Sequence, residues 1–389
     1  MDITTIIRYC IKRAINPENT DTSIDIKALS EEDLNKFLML SCANSIAPIT
    51  AVGSEAAKNS DVHPVFKELR NQMLASVMMH EKRAVAIAGL CSVLENAETE
   101  YILLKGSVLY ELYPEPWMRT FCDIDVLVKE EKLKTASEAL ESAGYRYVSK
   151  GSHDISFVSP EGITVELHFR LIETDQKVNG ILKNMWNYIE SVPGHAYQYK
   201  MTDEMFYFYH IAHMAKHFIF GGCGVRSFID LYFLNKKCMR NNDETTRLLK
   251  RGGLYVFSEK ASALSGVWLE NHPHDEITEN MEDFIISGGN FGSYNNRIKI
   301  EKTYKTSNSK FVLKRLFMPY DKMRLKYPVL EKYAVLLPLF WIKRWFEYVI
   351  NPRKIKGSLI EVSISSNLKE NEISETQFLL ESLGLKQKI

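Results

Sequence analysis

Two aspartates one residue apart, Asp123 and Asp125, open the apolar run Ile124 to Val128. Side chains alternate along a β-strand, so both carboxylates point to one face while Ile124 and Val126 point to the other. Side by side they repel each other unless a cation neutralises them, which makes them a divalent-metal candidate. A later run, Ile163 to Phe169, alternates cleanly, with Glu166 and His168 on one face and Val165, Leu167 and Phe169 on the other. If that strand lies beside the first, Glu166 completes a three-carboxylate cluster. Such clusters hold one or two Mg²⁺ (or Mn²⁺) ions that bridge triphosphate oxygens and activate an attacking hydroxyl. Upstream, the apolar run Tyr101 to Leu104 ends in Lys105-Gly106-Ser107, a turn into a helix whose backbone N–H groups suit phosphate. Lys105 and Arg119 are nearby cations able to neutralise more phosphate charge.

These residues need a small sheet to bring them together. Strands are expected at Tyr101–Leu104, Ile124–Val128, Tyr145–Ser149, Asp154–Val158 and Ile163–Phe169. A short helix over Val108–Leu112 is stopped by Pro114 and Pro116, and one over Glu130–Ser142 ends near Gly144. That order implies an α+β fold, a small mixed sheet with helices on one side. Before it, Pro64 starts a long helix with apolar residues at three-to-four spacing from Phe66 to Leu94, and its Met73, Met78 and Met79 are expected in the core. Ser41–Gly53 is rich in small residues and reads as a loop. From about 180 the chain turns helical again, with Thr202 capping a helix that ends at Gly221-Gly222.

The combined pattern resembles the nucleotidyltransferase superfamily that shares its catalytic domain with DNA polymerase β. More closely it is similar to a bacterial branch labelled uncharacterised nucleotidyltransferase. The residues that carry the likeness are Leu104-Lys105-Gly106, Tyr113-Pro114, Arg119, Asp123-Ile124-Asp125-Val126-Leu127-Val128 and Glu166-Leu167-His168. Later come His213-Met214-Ala215-Lys216-His217 and an Arg226…Asp230-Leu231 segment. The third acid is more often Asp in that superfamily, and no Gly follows the Gly-Ser here. The resemblance implies catalytic and metal-binding roles for Asp123, Asp125 and Glu166. It implies nucleotide contacts from Lys105, Gly106, Ser107, Arg119, His168, His213 and His217. The reaction it implies is transfer of a nucleoside monophosphate from an NTP to a hydroxyl or phosphate acceptor, with release of pyrophosphate. Two other readings stay open: a nucleotide- or partner-binding protein without turnover (an antitoxin-like component or scaffold), and γ-phosphoryl transfer by the same site. The implied organisation is a helical region 1–98, a catalytic core 99–172, a helical domain 173–350 closing the cleft, and a tail 351–389.

Several features keep more than one meaning. His210, His213 and His217 share one helical stripe, which suits a metal site, a cleft wall or a satisfied interior. Arg119 suits either a phosphate or a carboxylate that pins its loop. The stretch 311–353 is basic and aromatic, from Phe311, Lys314 and Arg315 to Trp345 and Arg353, and suits either packed helices or contact with a membrane surface. Lys+Arg and Asp+Glu are equal at 49 each, so no basic excess points to nucleic acid, and the acceptor is expected to be a small molecule, sugar, or peptide or protein side chain. Six scattered cysteines, with no Cys-x-x-Cys pair, suit a reducing compartment. With no signal-type N-terminus and no apolar run long enough to span a bilayer, the expected location is cytoplasmic.

Overall fold

Short β-branched and aromatic runs between turn residues build one mixed sheet in this computed structural model, which describes residues 2–19, 24–56, 63–173, 175–237, 242–289, 292–304, 313, 316–350 and 352–385. Its strands are β1 (Tyr101–Leu103), β2 (Asp123–Val128), β3 (Arg146–Lys150), β4 (Asp154–Val158), β5 (Thr164–His168), β6 (Ile189–Ser191) and β7 (Gln198–Met201). They lie in the order β3-β4-β5-β2-β1-β7-β6. The β2–β5 and β1–β7 pairs are parallel and the others antiparallel. The five strands expected upstream of residue 170 are all present. Helix is expected from about residue 180, yet after one short helix ending at Leu182 the strands β6 and β7 intervene before the chain turns helical again. At three and four residues they are too short to carry an alternating pattern.

Each face of the sheet has its own partner. Ile124, Val126, Val165, Leu167 and Phe157 pack against Ala86, Leu90 and Leu94 of α4 (Pro64–Asn96) and against Ala136 and Leu140 of α6 (Leu133–Ser142). The other face presents Ile102, Leu104 and Leu127 to a larger core shared by helices from both ends of the chain. Alternation puts Asp123, Asp125, Glu166 and His168 on this second face. One side of the sheet is therefore a dry packing surface and the other carries the polar residues. Helical regions on both flanks complete the α+β architecture.

Among the flanking helices are α1 (Ile3–Ile15), α2 (Glu31–Ala43), α3 (Ala47–Gly53), α5 (Gly106–Leu109) and α7 (Gln176–Leu182). C-terminal to the sheet are α8 (Asp203–Ile219), α9 (Gly224–Lys236), α10 (Asp243–Gly252), α11 (Tyr255–Glu270), α12 (Glu276–Gly288) and α13 (Tyr294–Thr303). The stretch expected as a loop, Ser41–Gly53, is instead the end of α2 followed by the buried helix α3. Its small residues serve close packing: a Cβ on Gly53 would sit 2.0 Å from the Cys10 carbonyl oxygen of α1. The long helix α4 begins at Pro64 as expected, but Met78 is 74% exposed. The buried residues Leu69, Ser76, Arg83, Leu90 and Leu94 follow one helical face, and Met78 stands off it; Met73 and Met79 are half-buried. The Thr202 hydroxyl caps α8 by accepting from the Met205 N–H.

The five described cysteines are free thiols; Cys238 lies outside the described residues, as do Phe311, Lys314 and Arg315. Among the described residues no helix is long and apolar enough to cross a membrane. Leu90 is fully buried between α4 and the sheet, so Leu90→Ala should cost about 2–5 kcal/mol of stability, read by urea denaturation.

Candidate active site

The parallel register of β2 and β5 sets Asp125 directly beside Glu166. Asp125 Oδ1 accepts from Lys105 Nζ and from His168 Nε2, each at 2.8 Å, and His168 Nε2 also lies 3.5 Å from Glu166 Oε2. The turn that delivers Lys105 is tied to the same strand: the Leu104 N–H donates to the Asp125 carbonyl at 3.0 Å. Lys105 adopts φ 44°, ψ −115°, a sparsely populated conformation costing roughly 1–3 kcal/mol that persists only where its surroundings enforce it. The next residue must be glycine for space. A Cβ on Gly106 would lie 2.8 Å from Phe121 Cγ and 2.9 Å from Arg119 Nη1.

Burial alone would raise the Asp125 carboxyl, but Lys105 and His168 outweigh it and hold this group well below the usual carboxylate range. Among the described residues, Asp123 has no cationic partner at hydrogen-bond distance. Burial, then the charges of Asp125 and Glu166, push its carboxyl up. Burial disfavours the charged forms of His168 and Lys105 as well. Bonds to Asp125 and Glu166 nevertheless raise the imidazole, and Tyr209, Asp125 and Asp123 raise the ammonium. The sheet thus presents an acid cluster short of positive charge at Asp123. Among the described residues, Asp125, Glu166 and His168 offer ligand atoms all within 4.8 Å of one another, a group that could hold a metal ion. Asp123 lines the same cavity, outside that group.

A second buried ion pair frames the cavity. Arg119 donates from Nε and Nη2 to the two carboxylate oxygens of Asp230 on α9, both at 2.8 Å, and the Tyr113 hydroxyl donates to Asp230 Oδ1 at 2.8 Å. Arg119 therefore pins its loop through a carboxylate. Among the described residues, its third nitrogen, Nη1, is buried without a partner beside Gly106, and so is the Ser107 hydroxyl. Arg226 of α9 donates to the Thr120 carbonyl, which fixes the same loop again.

Helix α8 forms the opposite wall of a cavity of about 330 Å³. Of the expected histidine stripe, His213 and His217 meet at Nε2···Nε2 3.0 Å, whereas His210 bonds the Ser227 carbonyl oxygen at 3.1 Å. His213 Nδ1 faces Glu173 Oε1 at 3.4 Å, and Lys216 Nζ lies 3.3 Å from Glu173 Oε2. A carboxylate on Nδ1 fixes the proton there, so His213 Nε2 accepts from the His217 N–H. Both rings are held neutral: burial followed by Lys105 and His217 lowers His213, and burial followed by Lys216 lowers His217. Among the described residues these imidazoles join no three-ligand metal group.

The structure gathers Lys105, Gly106, Arg119, Asp123, Asp125, Glu166, His168, His213 and His217 around this one cavity, with Ser107 buried just behind the turn. Sequence reasoning did not single out Glu173, Tyr209 or His153, which share the lining. Glu173 stands in an irregular segment after β5, and no spacing marks it.

Carboxylates on the sheet face lysine, arginine and histidine on the helices across this pocket, and three of the sheet residues could hold a metal ion. Residues 30–269 match the model of the family described as uncharacterised nucleotidyltransferase, and the chain belongs to that family. Neither the curated proteins nor the solved structures contain a match.

Asp230→Asn should leave Arg119 buried and uncompensated, costing roughly 3–5 kcal/mol at neutral pH. Burial opposes the Asp230 charge but Arg119 outweighs it, so the folded carboxyl titrates below its unfolded value. The stabilisation is therefore present at neutral pH and is lost as pH falls below about 4 towards the folded value. Denaturant titrations at neutral and acid pH should show the gap between parent and variant closing on acidification.

Proposed function

We propose that this protein transfers a nucleoside monophosphate from an NTP to a hydroxyl or phosphate acceptor and releases pyrophosphate. The observation that carries this reading is the β2–β5 register. It sets Asp125 against Glu166 while the Lys105-Gly106-Ser107 turn is bonded to the same aspartate. The donor set fits a divalent ion, because three carboxylates share one sheet face and Asp123 is raised by burial and by its two acidic neighbours. When bound by Asp123, Asp125 and Glu166, Mg²⁺ or Mn²⁺ supplies charge neutralisation on the triphosphate and activation of the attacking oxygen.

The chain's own groups then have distinct roles. Lys105 and the Gly106-Ser107 turn receive the phosphates, and Arg119, which lines the same cavity, keeps its Nη1 unpartnered among the described residues as a further donor. Asp230 positions Arg119. His213 and His217 contact the nucleotide from the α8 wall, and the helical region beyond residue 173 closes the cleft. His168 holds Asp125 and Glu166 in register with each other. The acceptor oxygen attacks the α-phosphorus as the bond to pyrophosphate breaks. Balanced overall charge, 49 cations to 49 acids, favours a small-molecule, sugar, peptide or protein acceptor over a polynucleotide.

One observation favours a second reading, nucleotide binding without turnover: Lys105 and His168 already neutralise Asp125. Calorimetry with Mg·ATP and the other three NTPs tests both readings together, and loss of all binding at millimolar nucleotide removes them. The double variant Asp123→Asn, Asp125→Asn should abolish Mg²⁺-dependent NTP turnover, with thermal melting as the control for folding. Turnover that survives in it would sink the catalytic assignment. Mass spectrometry of products separates nucleotidyl transfer, which yields pyrophosphate, from γ-phosphoryl transfer, which yields NDP. Gly106→Ala, by displacing Phe121 and Arg119, should lower kcat/KM by roughly 10²-fold while leaving the metal-binding carboxylates intact.

A further inference from the structure

The helix Leu337–Ile350 is apolar on two faces. Leu337, Phe340 and Trp341 face inward, against a small core of Met323, Tyr327 and Leu330 that is separate from the two larger cores of the molecule. Leu339, Ile342 and Phe346, at i, i+3 and i+7, form a second stripe that faces outward, 61%, 45% and 65% exposed. Val335 in the preceding turn continues it at 83% exposure. A helix with apolar residues on both faces belongs between two apolar environments, and among the described residues only one is present.

Charge identifies the second. Over residues 316–350 there are six lysines and arginines against three acids, in a chain whose totals are equal at 49. Lys322, Lys332 and Lys343 are exposed in this segment. Two copies of the chain meeting through this face would bring like charges together. An apolar stripe is also a poor match for a nucleic-acid backbone. A negatively charged lipid surface satisfies both features, because its acyl boundary takes the stripe and its headgroups take the lysines. Fourteen residues of helix span about 21 Å, short of the bilayer's hydrocarbon thickness of about 30 Å, so the helix would lie in the interface plane.

We propose that residues 316–350 form a docking surface for an anionic membrane, with Val335, Leu339, Ile342 and Phe346 entering the interface and Lys332 and Lys343 meeting lipid headgroups. The surface is independent of the nucleotide site and of the reading given to it.

Flotation of the full chain with vesicles tests this. The chain should float with phosphatidylcholine vesicles containing phosphatidylglycerol, float poorly with phosphatidylcholine alone, and be released by salt. Leu339→Asn with Phe346→Asn, and separately Lys332→Glu with Lys343→Glu, should each weaken the apparent affinity by about tenfold or more. Leu339 and Phe346 are exposed, so an unchanged thermal melt is expected of that pair; Lys343 Nζ also lies over the Tyr327 and Phe340 rings, so the melt of the lysine pair is the control for its folding. No binding by the parent chain overturns the proposal, as does equal binding to the two vesicle types or binding that both variants retain. If the parent instead self-associates and the Leu339/Phe346 variant does not, a second copy covers the stripe and the lipid assignment fails.

Discussion

Asp125 is a carboxylate with almost no access to water, and much of the local structure follows from keeping it charged. A buried carboxylate without partners is too costly to persist in the ionised form. Here Lys105 and His168 both donate to one of its oxygens, each from a different segment. Lys105 can do so only because the turn after β1 takes a strained backbone and bonds the Asp125 carbonyl through Leu104. His168 can do so because β5 lies parallel to β2 in the register that puts Glu166 at the same level as Asp125. A one-residue slip of β5 would send Glu166 and His168 into the dry face beside Leu90, where neither could be satisfied. Satisfying one carboxylate thus specifies the turn, the strand pairing and the third acid together.

The second buried pair, Arg119 with Asp230, does for the helical half what Asp125 does for the sheet. It joins the loop entering β2 to α9 through two parallel bonds, a geometry that fixes orientation as well as distance. Tyr113 and Arg226 brace the same junction. The cavity lies between these two pairs, so its width is set by polar contacts in which one partner's removal strands a charge. Such a junction fixes the loop entering β2 against α9, so this side of the cavity is preorganised and not a freely moving lid.

Legibility in the sequence followed periodicity. The strands carrying Asp123, Asp125 and Glu166 alternate over five or six residues, and α4 repeats over many turns, so both were visible along with the acids they place. The cap at Thr202 and the break at Gly221-Gly222 were visible for the same local reasons. What failed lacked a period. β6 and β7 are too short, and α3 reads as a loop because its small residues serve a close approach to α1 that exists only in three dimensions. Met78 reads as core by residue type, although its position on the helix turns it outward. Among the site residues, Arg119 kept two meanings until Asp230, far along the chain, appeared beside it. Glu173 had no local signal at all, because its role depends on the tertiary meeting of an irregular segment with α8.

Equal totals of acidic and basic residues conceal how unevenly the charge is used. The acids at the site are concentrated on the sheet and the cations around them on the turn and helices, so local fields exist where the global sum is zero. The same holds at 316–350, where cations exceed acids two to one beside an uncovered apolar stripe. Net charge therefore argues only about the chain's average behaviour. Recognition depends on which side chains the fold places on one surface. In this molecule it makes two such surfaces of opposite design. One is a concave pocket with carboxylates on the sheet and cations on the turn and helices around them. The other is a convex helix face whose lysines surround exposed leucine, isoleucine and phenylalanine.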